Sequence, residues 1–154
     1  MIICGYPCIG KSTISKYSSI VIDLESSYFK VTGRDNTDWE IGYCKLAKQI
    51  SDTGHMVFIS THSAVRNALK KLGFEFSLCY PALELKDIWA KRVTARARES
   101  AMQKDKMAAD RVINYYEEDI RDLMNTECKE HLVITKESLD DPERGFYDLQ
   151  DIIF

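Results

Sequence analysis

The sequence Gly5-Tyr6-Pro7-Cys8-Ile9-Gly10-Lys11-Ser12-Thr13, near the amino terminus, carries more information than any other part of this chain. Its spacing is G-x-x-x-x-G-K-[ST], and each fixed position has a physical task. Gly5 and Gly10 can adopt backbone angles closed to other residues, so the chain can wrap around a phosphate with its N–H groups inward. Lys11 supplies a mobile cation for the outer phosphates, and the Ser12 hydroxyl can bind Mg²⁺. The stretch therefore predicts a loop that binds a nucleoside triphosphate.

The residues on either side of this loop agree with that prediction. The apolar run 1–4 predicts a buried strand, and the residues from about Gly10 to Ser18 predict a short helix whose positive end faces the same anion. At average residue usage, a chain of this length would match the spacing by accident roughly once in two hundred times. The alternative is a glycine-rich turn that binds nothing. All of residues 5–13 are therefore candidate ATP contacts.

Beyond the loop, short apolar runs alternate with amphipathic stretches. Strands are predicted at about 20–22, 56–60, 74–80 and 131–135. Helices are predicted at about 38–53, 65–72, 84–98 and 108–125, followed by a last amphipathic segment at 146–154. Residues 26–38 predict an exposed loop, and residues 100–107 a polar break. This alternation indicates an α/β fold with a parallel sheet and helices on both faces, in which ligands bind at the carboxyl ends of the strands.

Composition and charge limit the classes of function. The 154 residues are 29% charged and 45% hydrophobic, which predicts one globular domain, 1–154, with no membrane span or signal peptide. The five cysteines form no C-x-x-C pair, so we expect no disulfide framework or zinc site, and a cytoplasmic location. A net charge of −3 gives no signal for nucleic acid. The segment 86–106 nevertheless holds seven Lys or Arg against three Asp or Glu, which favours a local anion site.

Two acidic residues follow the second predicted strand. Asp23 and Glu25 can hold a water bound to Mg²⁺ or orient an acceptor hydroxyl, and the alternative for each is helix capping or a solvated turn. The third predicted strand ends in Ser60-Thr61-His62 and carries no acid, although phosphate-loop NTPases normally have an acidic metal partner there. Asp23 is therefore the stronger metal candidate, together with Ser12.

Four arginines are candidate anion contacts. Arg66, after the third strand, and Arg34, in the loop after the second, can each clamp an anionic acceptor, or they are plain surface charges. Arg92 and Arg96 are four residues apart and share one helix face, beside a polar break that can act as a lid near 99–107. Cations there can neutralise a phosphoryl group in transfer, and the alternative is a solvated basic face.

The loop at 5–13, the strand end at Asp23 and the helix segment Lys91-Arg92-Val93-Thr94-Ala95-Arg96 resemble the nucleoside monophosphate kinase group, which is adenylate-kinase-like. The Asp23-Leu24-Glu25 strand end is also similar to shikimate- and gluconate-type kinases. The resemblance implies a three-layer α/β/α phosphate-loop NTPase fold with a five-stranded parallel sheet in the order 2-3-1-4-5, and Mg-ATP as donor. It further implies that Lys11, Arg92 and Arg96 stabilise the transferred phosphate, that Ser12 binds magnesium, and that Arg34 and Arg66 hold the acceptor.

The sequence leaves three functions open. The first is a kinase that moves the γ-phosphate of ATP to a nucleoside or deoxynucleoside monophosphate. The second is the same chemistry on a hydroxyl of a nucleoside, a small metabolite or a polynucleotide end. The third is a nucleotide-binding switch or interaction module with little turnover. The short acceptor loop at 26–38 fits small-metabolite kinases as well as it fits nucleotide kinases, so the residues do not name the acceptor.

Overall fold

A computed structural model describes residues 1–30, 38–141, 145 and 147–154 of the chain. The strands are β1 Ile2–Gly5, β2 Val21–Asp23, β3 Met56–Ser60, β4 Ser77–Pro81 and β5 His131–Ile134. The helices are α1 Lys11–Tyr17, α2 Ser27–Lys30, α3 Trp39–Asp52, α4 Ser63–Lys71, α5 Lys86–Glu99, α6 Gln103–Met124 and α7 Leu149–Ile153. Two short 3-10 turns lie at Leu83–Leu85 and Lys136–Ser138.

The five strands form one parallel sheet in the order β2-β3-β1-β4-β5, with helices on both faces. The α/β class and the strand order implied by the kinase resemblance are both confirmed. In the register of the sheet, Gly5 lies opposite Ser60 and Asp23 lies opposite Phe58. The carboxyl ends of β1, β2 and β3 therefore lie along one edge, which is where a ligand of such a sheet binds.

Several predicted boundaries differ from the structure. Strand β4 begins at Ser77 and not at residue 74, because Gly73 (φ 70°) ends α4 and the Phe74 N–H donates back to the Leu69 carbonyl in a helix-closing turn. The polar break at 100–107 is also shorter than predicted. Only residues 100–102 separate α5 from α6, since the polar segment 103–107 consists mainly of good helix formers.

The start of α6 has a local cause as well. The Ser100 hydroxyl accepts a hydrogen bond from the Met102 N–H and donates one to the Asp105 carboxylate in the first turn of the helix. Residues 26–38 were predicted as an exposed loop, and α2 occupies 27–30 of it, while 31–37 lie outside the described residues. In the described part of the chain, no helix is long and apolar enough to cross a membrane.

The chain divides into two compact units. The first comprises Met1–Gly5, Gly10–Leu78 and Cys128–Glu130, and the second comprises Tyr6–Ile9, Cys79–Glu127 and His131–Phe154. In the first unit, the fully buried side chains include Ile3, Tyr43, Val57, Phe58 and Leu69. In the second unit they include Trp89, Val93, Tyr116, Ile120 and Leu123, which lie on the apolar stripes predicted for α5 and α6.

Tyr43 links two strand ends in the first unit. Its side chain is fully buried on α3, and its hydroxyl donates to the Leu24 carbonyl (2.7 Å) while it accepts from the Ser60 N–H (3.0 Å). One hydroxyl therefore satisfies a backbone acceptor after β2 and a backbone donor at the end of β3. Asp38 occupies the N-cap position of α3, and within the described residues its side chain makes no capping hydrogen bond.

We expect Tyr43→Phe to lower the free energy of unfolding by about 1–2 kcal/mol, because it leaves a half-buried N–H and a half-buried carbonyl without their shared partner. Urea unfolding followed by circular dichroism measures this change. Tyr17→Phe, at a position that is 82% exposed, is the control and should change the free energy by less than about 0.5 kcal/mol. Equal stability of the two variants would contradict the bridging role of Tyr43.

Burial of acidic side-chain groups predicts a loss of stability in alkali. Burial raises the pKa of Cys4, Tyr6, Tyr43 and Tyr116, and it raises the pKa of Cys44 to about 11. Because these pKa values are higher in the folded chain, the stabilisation is complete below the ordinary thiol and phenol pKa values, about 8.5 and 10. It is lost as the pH rises past them, at about 1.4 kcal/mol per pH unit for each group that ionises only when unfolded.

The measurement is urea unfolding at pH 7.5, 9 and 10.5. We expect the free energy of unfolding to fall across this series and to fall less steeply in Tyr43→Phe, which lacks one of the ionising groups. A free energy that stays constant from pH 7.5 to 10.5 would show that these groups ionise as easily in the folded chain as in the unfolded one.

Candidate active site

The loop between β1 and α1 adopts left-handed backbone angles at two positions, Cys8 (φ 64°) and Gly10 (φ 103°). The sequence analysis assigned such angles to Gly5 and Gly10. The structure corrects this for Gly5, which ends β1 as an extended strand residue, and gives the second left-handed position to Cys8. A side chain in this conformation costs about 1–2 kcal/mol, so neighbouring contacts must hold Cys8 in place.

In the first unit, Lys11 closes the ends of the loop. Its Nζ donates to the Gly5 carbonyl at 2.8 Å, so the ammonium lies against the loop backbone. Gly10 is the N-cap of α1, and its carbonyl accepts the first helical hydrogen bond, from Ile14. Ser12 and Thr13 follow in the first turn of α1 with exposed side chains, where they are accessible to a ligand.

In the second unit, two aromatic side chains bind loop carbonyls. The Trp89 indole N–H donates to the Pro7 carbonyl (2.9 Å), and the Tyr147 hydroxyl donates to the Ile9 carbonyl (2.6 Å). The carbonyls on both sides of Cys8 are therefore engaged by side chains. Within the described residues, the backbone N–H groups of Cys8 and Ile9 donate to no protein acceptor. Carbonyls held on one side and donors left on the other are the features of a backbone anion nest.

Tyr6 anchors the start of this loop segment. Its N–H donates to the Cys79 carbonyl of β4 (2.9 Å), and its ring packs edge-on against Tyr116 with centroids 6.0 Å apart. The side chain is 3% exposed, and its hydroxyl has no hydrogen-bond partner among the residues that the structure describes. Burial raises the pKa of this phenol, so the hydroxyl stays neutral at physiological pH.

Arg96 lies directly beside the loop. One guanidinium nitrogen donates to the Cys8 sulfur at 3.7 Å, and the Nε atom lies 3.3 Å from the Asp105 carboxylate at the start of α6. The Arg96 side chain is 45% exposed, whereas that of Asp105 is only 11% exposed. The Asp105 carboxylate therefore orients the Arg96 guanidinium, which remains accessible to solvent. The alternative for Arg96, a solvated basic face, is consistent with this exposure, while the contact with the Cys8 sulfur brings the guanidinium beside the loop.

Arg92 has different surroundings. Its guanidinium carbon lies 4.9 Å from the ring centroid of Trp89 and 4.9 Å from that of Tyr147, and one nitrogen donates to the Gly145 carbonyl (2.8 Å). The two rings themselves lie 6.2 Å apart and nearly parallel. Arg92 therefore contacts the two side chains that bind the loop, whereas Arg96 contacts the loop itself.

The two candidate carboxylates lie in the first unit. Asp23 is the last residue of β2, half-buried, at the strand edge that also carries Gly5. Glu25 accepts a hydrogen bond from the Ser27 N–H (3.3 Å) at the start of α2, which is the capping arrangement that the sequence analysis held as the alternative. This geometry makes Asp23 the better placed of the two for a ligand.

Arg66 is buried and not a surface charge. Its side chain is 8% exposed, and its Nε donates to the Thr61 carbonyl (2.9 Å) just after β3. A cation held at the carboxyl end of a strand suits an anionic ligand. Arg34, the other predicted acceptor residue, lies outside the described residues. In the same unit, the ring centroids of Phe29 and Trp39 lie 5.1 Å and 5.8 Å from that of Tyr43.

The oxygen donors suit magnesium. Mg²⁺ binds through one or two protein oxygens together with phosphate oxygens and water, and Ser12 and Asp23 supply a hydroxyl and a carboxylate. Among the described residues, no group of three or more His, Cys, Asp or Glu forms a metal cluster.

Sequence reasoning missed the roles of Trp89 and Tyr147. Trp89 was recognised only as part of an apolar helix stripe, and Tyr147 fell in the last amphipathic segment. No spacing in the sequence relates residue 147 to residue 9, because their hydrogen bond spans 138 positions. The one available signal was chemical, since buried Trp and Tyr side chains require partners for their N–H and O–H groups.

Comparison of the sequence with models of known protein families finds no family that matches, and comparison with curated proteins also finds no match.

Proposed function

We propose that this chain is an ATP-dependent phosphotransferase that moves the γ-phosphate of Mg-ATP to a nucleoside or deoxynucleoside monophosphate. The observation that carries the proposal is the conformation of the loop. Cys8 and Gly10 are left-handed, and the carbonyls of Pro7 and Ile9 are bound by side chains, so the Cys8 and Gly10 N–H groups of the same peptide groups are turned away from these side chains and can converge on a phosphate. A glycine-rich turn that binds nothing would not require a left-handed Cys8 or side chains bound to these two carbonyls.

The residues around the loop suggest how transfer would proceed. An oxygen of the acceptor phosphate attacks the γ-phosphorus, the bond from that phosphorus to the β–γ bridging oxygen breaks, and ADP leaves with the negative charge. In the first unit, Lys11, held against the loop backbone, is the cation that would stabilise this charge, and in the second unit Arg96, beside Cys8, is the candidate for the same role. The charge moves during the step, so fixed cations favour the transition state over the bound substrate.

Magnesium would be held by Ser12 and Asp23. When bound, the ion supplies charge neutralisation between the β- and γ-phosphates. The Ser12 hydroxyl follows Lys11 in the first turn of α1, and the Asp23 carboxylate ends β2. With no acid at the end of β3, Asp23 is the carboxylate that the strand edge offers.

The first unit supports a nucleotide as the acceptor. Arg66 is a buried cation that suits the phosphate of a monophosphate. Phe29 and Trp39 pack around Tyr43, and aromatic faces of this kind stack on any nucleobase. The position of Asp23 favours a second candidate, a kinase of a hydroxyl group, because a carboxylate at that strand end can accept the hydroxyl proton.

The test is ADP release from Mg-ATP in the presence of a panel of nucleoside monophosphates, nucleosides and sugar acids. We expect one or a few monophosphates to stimulate ADP release strongly, because they alone combine a phosphate for Arg66 with a base for the aromatic cluster. Stimulation by a nucleoside or sugar acid would favour the hydroxyl kinase. No stimulation by any compound, with Mg-ATP bound, would favour a nucleotide-binding switch and contradict our proposal.

Lys11→Ala provides the control for that experiment, and Lys16→Ala is its matched partner. Both remove a lysine from α1, but Lys16 lies in the last turn with an exposed side chain. Lys11→Ala should abolish stimulated ADP release while Lys16→Ala retains it.

Arg96→Ala should lower kcat by about a hundredfold or more and change KM for ATP much less, because its charge is needed mainly in the transition state. The measurement is steady-state kinetics with the best acceptor. Arg98→Ala, two residues along the same helix and exposed, should leave both constants within about threefold. Equal kinetics for the two variants would place Arg96 outside the reaction.

A further inference from the structure

Two carbonyls of the phosphate loop depend on a cluster that the sequence did not reveal. We propose that Trp89, Arg92 and Tyr147 form a positioning device for this loop, which we call the aromatic brace, and that Arg92 acts through the brace and not on the transferred phosphate. The consequence for ATP rests on the proposed function. The effect of the brace on the conformation of the loop does not rest on the proposed function.

The first step concerns Cys8. This non-glycine residue has a φ of 64°, a conformation that persists only where its surroundings enforce it. The Trp89 and Tyr147 side chains donate hydrogen bonds to the carbonyls of the residues immediately before and after Cys8. They therefore fix the Pro7–Cys8 and Ile9–Gly10 peptide groups, which enclose the strained position, and with them the directions of the Cys8 and Gly10 N–H groups.

The second step concerns how the two donors are held. Trp89 is fully buried, and burial raises the pKa of Tyr147 above its ordinary range, so its hydroxyl remains a donor at every physiological pH. The guanidinium of Arg92 lies over both rings at 4.9 Å from each centroid. Such cation–π contacts restrict both rings at once. One side chain thus sets the position of both loop contacts.

The third step concerns the segment that carries Tyr147. Arg92 donates to the Gly145 carbonyl at 2.8 Å. Gly145 has a φ of 70°, and a Cβ atom there would lie 2.5 Å from the Ile88 side chain. Only glycine permits this close approach to α5. The chain is therefore held against α5 two residues before Tyr147, and this limits the positions that the Tyr147 hydroxyl can reach.

These contacts distinguish the two arginines of α5. The Arg92 guanidinium contacts two rings and one backbone carbonyl of its own unit. Within the described residues it pairs with no carboxylate. Arg96 approaches the loop and is oriented by Asp105. A residue that orders the loop affects how well polyphosphate binds, whereas a residue that touches the moving phosphoryl group affects turnover.

The test compares two buried tyrosines. Tyr147→Phe keeps the ring over Arg92 and removes the bond to Ile9. Tyr116→Phe is the matched control, because its hydroxyl donates to the Ala82 carbonyl at 2.7 Å, outside the loop. The first readout is the dissociation constant for Mg-ATP by calorimetry. The second is the rate at which N-ethylmaleimide alkylates Cys8, followed by mass spectrometry of the peptide that contains it, without nucleotide.

We expect Tyr147→Phe to weaken Mg-ATP binding and to accelerate Cys8 alkylation, each by about five- to tenfold, the equivalent of one lost hydrogen bond. Tyr116→Phe should lower the melting temperature about as much as Tyr147→Phe does. It should change both the Mg-ATP dissociation constant and the Cys8 alkylation rate by less than twofold. If Tyr147→Phe alters neither readout beyond the control, the brace is overturned. If alkylation accelerates while Mg-ATP binding is unchanged, the brace stands and its consequence for ATP is overturned.

Arg92→Ala tests the second part of the proposal. We expect it to raise the dissociation constant for Mg-ATP about as much as Tyr147→Phe does, to leave kcat within about threefold, and to add nothing when combined with Tyr147→Phe. A hundredfold fall in kcat with unchanged Mg-ATP binding would instead make Arg92 a catalytic residue. If the wild-type chain binds no Mg-ATP, the proposed function fails, and the alkylation rates of Cys8 still decide for or against the brace.

Discussion

The chemistry proposed for this chain depends on how the Pro7–Cys8 and Ile9–Gly10 peptide groups are oriented. A peptide group that turns its carbonyl to one side turns its N–H to the other, so a nest of donors can exist only if the neighbouring carbonyls are engaged elsewhere. Trp89 and Tyr147 engage them. The left-handed angle at Cys8 is the local cost of that arrangement, and the hydrogen bonds on both sides of it offset the cost.

The first unit has a comparable constraint at the strand edge. The single hydroxyl of Tyr43 satisfies the Leu24 carbonyl and the Ser60 N–H, so it fixes the chain just after β2 and at the end of β3. Asp23 and Thr61 flank these points, and Thr61 in turn holds Arg66. The carboxylate and the buried cation are therefore positioned by backbone groups that one buried side chain holds in place. Preorganisation of this kind lets charged groups act without first having to move.

Arg92 and Arg96 illustrate why helical spacing alone does not assign a role. Both lie on one face of α5, as the interval of four residues predicts. The neighbours of that face change along the helix, however. Arg92 meets two rings and the Gly145 carbonyl, whereas Arg96, one turn further on, meets the Cys8 sulfur and Asp105. Two arginines one turn apart on the same helix face therefore have different neighbours, and helical spacing alone does not distinguish them.

By itself, the sequence determined the class of fold and the position of the phosphate loop. The alternation of short apolar runs with amphipathic stretches indicates a parallel sheet with helices on both faces. The spacing G-x-x-x-x-G-K-S predicts a loop whose backbone can surround an anion. Both kinds of signal are local, because they arise from residues close together in the chain. The tertiary structure decided that Cys8 and not Gly5 takes the left-handed angle, that Arg66 is buried, and that α6 begins at Gln103. It also decided the contact between Tyr147 and Ile9, which are 138 residues apart, since a hydrogen bond between distant residues depends on packing and leaves no periodic trace in the sequence.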